Sequence, residues 1–98
     1  MIIIIDKYIS VNILEDGTVA ITRPSILGEI ATHNITSPYS GMDIASFLYK
    51  RVAGHPTPLI QEAFPEMSAE DREFIQSGIT PEAWAKVIAE DGEEETVQ

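Results

Sequence analysis

The hydrophobic period of this chain changes once, from 2 to 3.6, near Ser40, and that one change restricts the fold to strands first and helices after. Alternating apolar residues bury one face of a sheet, whereas apolar residues at i and i+4 bury one stripe of a helix. A chain that carries the two patterns in succession, not interleaved, is predicted to be α+β. The expectation is a small N-terminal antiparallel sheet packed with three to four short C-terminal helices. The 98 residues suffice for one core, read as a single domain over 1–90 with 91–98 as an acidic flexible tail.

Within the first part, residues 8–23 read as a hairpin whose side chains select its turn. Ile9, Val11 and Ile13 alternate with polar residues, as do Val19 and Ile21. A two-residue loop at Asp16-Gly17 would oppose Asn12 to Ile21 and put a polar residue on the apolar face. A three-residue loop, Glu15-Asp16-Gly17, opposes Ile13 to Val19 and Val11 to Ile21, with Gly17 as a left-handed bulge residue. Pro24 ends that strand. Ile2 to Ile5, closed by Asp6, reads as a buried strand, being too short for a membrane span or a signal peptide. Residues 28–35 are expected to be a further strand.

The helical part is punctuated by caps. Ser40 with Asp43 starts a helix over 41–53 with the stripe Ile44, Leu48 and Val52, and Gly54 stops it. Thr57 and Pro58 are expected to open a second helix over 58–64. Ser68 is expected to cap a third over 69–77, with Asp71 reaching back to complete a capping box and Gly78 closing it in a Schellman turn. Ile79 would then contact Phe74 and staple to Trp84 in a last helix over 81–90, which Thr80 caps. The expected core is Ile4, Ile9, Val11, Ile13, Val19, Ile21, Ile44, Leu48, Phe64, Phe74, Ile79 and Trp84.

Charge narrows function more than any motif does. Residues 1–55 carry four basic and five acidic groups; residues 56–98 carry only Arg72 and Lys86 against eleven carboxylates, so nearly all of the net charge of −10 lies there. Phosphate neutralisation needs clustered Lys and Arg, so direct binding of nucleic acid or an anionic membrane is disfavoured. The two helices joined at Gly78 resemble a helix-turn-helix in outline, but the second would present Lys86 alone against Glu82, Glu90 and Asp91. With no cysteine, thiol chemistry, disulfides and Cys-based metal sites are excluded. His33 and His55 are isolated imidazoles, His55 reading as a helix cap, and no phosphate-binding loop, metalloprotease motif, nucleophile elbow or EF-hand spacing is present. No catalytic residue, metal or cofactor is assigned.

Three strings remain: Ile60-Gln61-Glu62-Ala63-Phe64-Pro65, then Ser68-Ala69-Glu70-Asp71-Arg72-Glu73-Phe74-Ile75, then Ser77-Gly78-Ile79-Thr80-Pro81-Glu82 with Trp84. Over about residues 59–85 this pattern resembles the C-terminal motif of short uncharacterised proteins of bacteriophage and other mobile elements. Where members of that family often carry an acid directly after the tryptophan, this chain has Ala85. The resemblance implies a viral or mobile-element setting, in the host cytoplasm or the virion, and no catalytic residues.

Charge and resemblance together give the functional expectation, a non-enzymatic accessory protein whose acidic half binds a basic protein surface. It would act as a nucleic-acid-mimicking inhibitor of a host system through Glu66, Glu70, Asp71, Glu73, Glu82 and Glu90. The alternative is a virion or assembly component that acts as a homo-oligomer through its apolar N-terminal strand.

Overall fold

A four-stranded antiparallel sheet is built first along the chain, and the helices cover one of its faces. The computed structural model describes residues 1–88. Its strands are β1 (Ile2–Asp6), β2 (Ile9–Ile13), β3 (Val19–Pro24) and β4 (Ile30–Ile35), in spatial order β1-β2-β3-β4. The helices are α1 (Gly41–Ala53), α2 (Ile60–Ala63) and α3 (Ala69–Ser77), with residues 81–88 forming α4. The expected α+β architecture is therefore the observed one.

The hairpin has the register that its side chains require, Ile13 opposite Val19 and Val11 opposite Ile21. The Leu14 N–H donates to the Thr18 carbonyl at 2.9 Å, and Gly17 at φ 89° occupies the left-handed position. Asp16 locks the loop by accepting the Thr18 N–H at 2.9 Å. The backbone and then the hydroxyl of Thr18 hold the Asp16 carboxyl below its ordinary value. A carboxyl depressed on folding contributes stability above its unfolded pKa and loses it as pH falls through the folded one. The Thr18 amide resonance is therefore expected to shift in an acid titration with a midpoint below that of a free aspartate. A midpoint at or above the free value would show that the loop contact is not formed in solution.

Helix boundaries follow the caps. Ser40 accepts the Asp43 N–H and Ser68 the Asp71 N–H, while Gly54 and Gly78 both end their helices in the left-handed region. The two stops differ in kind. At α1 the Gly54 N–H reaches Arg51 and the His55 N–H reaches Lys50, the paired bonds of a Schellman turn. The expected Schellman turn at α3 is instead the simpler left-handed cap: the Gly78 N–H reaches the Phe74 carbonyl, and the Ile79 N–H is diverted to Ser77 Oγ at 3.2 Å. The expected second helix is shorter than its sequence signals. It starts at Ile60 with no side-chain cap, and Thr57 Oγ1 instead accepts from Arg51 Nε at 2.6 Å.

The core lies between the helices and one face of the sheet. Val11, Val19, Ile21 and Ile35 from the strands meet Ile44, Leu48, Ile60, Phe64, Met67, Phe74 and Ile75 from the helical half. Phe64 sits between Tyr39 and Phe47, edge-to-face with both at 5.0 and 5.2 Å. Several expected core positions are corrected. Ile2 to Ile5 is not a buried strand but an edge, in which Ile3 and Ile5 pack on the core while Ile2 and Ile4 are exposed, Ile4 at 71%. Val52 and Trp84 are also exposed, and Ile9 and Ile13 are half-buried. Glu90 and the expected acidic tail over 91–98 lie outside the described residues.

The helical layer is fastened to the sheet by Arg23. Its guanidinium, partly buried at the end of β3, donates to the Ile75 carbonyl at 2.5 Å and the Pro24 carbonyl at 2.9 Å. A cation beside the last turn of α3 complements that helix's negative end. Burial pushes the guanidinium below its ordinary value, so the carbonyls offset a desolvation cost. One bond further along, the Ile26 N–H donates to the Ser77 carbonyl at 2.9 Å, so the β3–β4 turn holds the end of α3.

Candidate functional site

The acidic residues of α3 do not form one patch; the fold separates them by task. Asp71 is directed inward, where its Oδ1 lies 2.7 Å from His33 Nε2 of β4, with both side chains largely buried. The His33 ring also packs against Phe74, with centroids 5.2 Å apart. The expected capping box is thus only half made: Ser68 accepts the Asp71 N–H at 3.1 Å, but the Asp71 carboxylate bonds the sheet instead of the helix start. The physical reason is that His33 shares a face with Ile21 across the β3–β4 ladder, and α3 crosses that face.

Glu70 and Glu73 point to the opposite side. Together with Ala69, Ile79, Pro81 and Trp84 they line a cleft of about 180 Å³ between α3 and α4. Two local features make it. Gly78 turns the chain sharply enough for only three residues to separate α3 from α4, and Thr80 caps α4 by accepting the Ala83 N–H at 3.1 Å. Ile79 is buried between the helices, but Trp84, the chain's only tryptophan, remains 44% exposed. In place of the expected buried staple, Ile79 and Trp84 both line the cleft.

The remaining expected residues fall elsewhere. Glu66 is exposed in the turn before α3, where its backbone N–H donates to the Tyr39 hydroxyl at 2.9 Å. Glu82 is exposed on α4. Of the six residues selected by charge, the fold brings Glu70 and Glu73 together and commits Asp71 to His33. The indole that completes the cleft was missed because apolar spacing assigns a helical tryptophan to the core. Its only sequence signal was its place directly after a tight corner.

An aromatic face and two carboxylates around an apolar floor suit a cationic side chain with an aliphatic stem. In such a cleft the indole would attract the cation, the carboxylates would pair with it, and Ile79 and Pro81 would receive the methylenes. No group of three or more metal-ligating side chains occurs among the described residues, and no described helix is long and apolar enough to cross a membrane. No family model matches the chain, no curated protein matches it, and no solved structure matches it.

Proposed function

We propose that the chain is a non-enzymatic accessory protein of a phage or mobile element, and that its acidic half binds a basic protein surface. The cleft between α3 and α4 receives a lysine or arginine side chain of the partner. The observation that carries this reading is the exposed Trp84 flanked by Glu70 and Glu73. The charge asymmetry supports it, because six carboxylates against Arg72 and Lys86 in residues 56–88 steer a basic partner to this end of the molecule. Because a surface rich in Lys and Arg is what neutralises phosphates, the partner class is a protein that itself binds nucleic acid, in a host system that the element would inhibit. The resemblance over residues 59–85 supports the setting.

Trp84, as the sole indole, reports on the cleft directly. Titration with a lysine- and arginine-rich peptide at low salt is expected to change its emission. The response should weaken at high salt as charge is screened, and Glu70→Gln with Glu73→Gln should abolish it. An unchanged emission across the titration, or an equal response to an acidic peptide, would rule the reading out.

A second reading, a virion or assembly component acting through self-association, draws on a different observation, the exposed isoleucines of β1.

A further inference from the structure

The two ends of this molecule differ in chemistry. Helix α3 packs over the β3–β4 side, held by the His33–Asp71 and Arg23–Ile75 bonds. At the other end β1 is an edge strand, packed on α1 through Ile3 and Ile5. Residues 1–55, which supply β1 and α1, carry a net charge of only −1.

The free edge of β1 is competent to pair. Met1 and Ile13 exchange both backbone bonds, at 2.7 and 2.9 Å. In an antiparallel ladder such pairs alternate, so Ile3 faces Val11 in the next one, and the N–H and C=O groups of Ile2 and Ile4 point away from β2. Those groups have no partner among the described residues. Edge strands are ordinarily guarded by charge, proline or a bulge. Here Ile2 to Ile5 carry neither charge nor proline, and the irregularity between Ile4 and Asp6 comes only at the strand's end. Beside the edge runs an apolar groove of about 220 Å³ lined by Ile3, Ile4, Ile5, Met42, Ala45, Ser46 and Tyr49.

We infer that this edge pairs with the same edge of a second copy of the chain, joining two four-stranded sheets into one of eight strands. A second copy fits because the edge is self-complementary under two-fold symmetry. Antiparallel pairing about Ile3 sets Ile2 against Ile4 of the copy and Ile4 against Ile2, so every outward backbone group finds its opposite. Electrostatics does not oppose the pairing, since β1 is the edge away from α3 and its carboxylates, and α3 bonds to the β3–β4 side. The inference is independent of the cleft, to which no residue of β1 contributes.

The test is the solution mass of the full chain across concentration, with far-ultraviolet circular dichroism to confirm folding. The wild-type chain is expected to reach twice its 10.8 kDa and to keep that mass at high salt. Ile4→Lys and Ile2→Lys place a like charge on each copy at exposed positions, and each is expected to give a folded monomer. A wild-type monomer at every concentration up to about 1 mM would overturn the inference and leave the edge to a strand of another protein. Folded lysine variants that still dimerise would overturn it equally.

Discussion

Phe74→Ala is expected to lower the free energy of unfolding by about 3–5 kcal/mol, the range for emptying a fully packed aromatic site. Phe74 has no solvent exposure and sits where α3 crosses the sheet, against His33 and within the main core cluster. Its removal leaves a cavity beside the His33 ring, whose centroid lies 5.2 Å from that of Phe74. Trp84→Ala is the contrasting measurement. Because the indole lies half in solvent, its truncation is expected to cost under about 1 kcal/mol while abolishing the fluorescence signal of the cleft. Chemical denaturation of the two variants decides the point. Equal losses would mean that α4 packs on the core, and a small loss for Phe74→Ala would mean that α3 does not cover the sheet.

Gly78→Ala combines two penalties at one atom. The residue has φ 78°, a conformation that costs an L-residue about 1–2 kcal/mol. A Cβ there would also stand 2.5 Å from the Pro24 carbonyl oxygen, 2.8 Å from Ser25 Cα and 2.9 Å from Arg23 Nε. Two of those neighbours are backbone, so relief requires moving the end of α3 off the β3–β4 turn, and overpacking of this kind costs about 1–3 kcal/mol. The expected total is about 3 kcal/mol. Gly54 supplies the control, since it ends α1 at φ 81° with nothing within 4 Å of the same added carbon. Gly54→Ala should show the backbone penalty alone. If denaturation midpoints fall equally for the two variants, the close approach at Gly78 does not exist in solution.

Both substitutions test the junction on which the site depends. Gly78 lets the chain pass close to Pro24 and Ser25, beside the bond from the Ile26 N–H to the Ser77 carbonyl, and the α4 that follows brings Trp84 to the cleft with Glu70 and Glu73. A disturbed Gly78 is therefore expected to alter the cleft together with stability, whereas Glu70→Gln and Glu73→Gln should alter binding alone.

What the sequence determined by itself was everything whose cause lies within a few residues. The hairpin register follows from β-branched residues on alternate positions and a glycine able to take positive φ, all inside 8–23. The ends of α1 and α3 follow from Ser40, Gly54, Ser68 and Gly78, because a cap acts on the neighbouring turn. The tertiary structure decided whatever depended on which surfaces meet. Four successive isoleucines suit a strand buried on both faces as well as one buried on a single face, and only the packing of the helical half on the Ile3–Ile5 side leaves Ile2 and Ile4 in solvent. Asp71 could serve its own helix or another element, and the choice fell to His33, 38 residues away. Arg23 reaches across 52 residues to Ile75, a pairing no local pattern encodes. Trp84 has the spacing of a core residue, yet burial needs a second surface to close on it, and in the fold its indole lines an open cleft and stays 44% exposed.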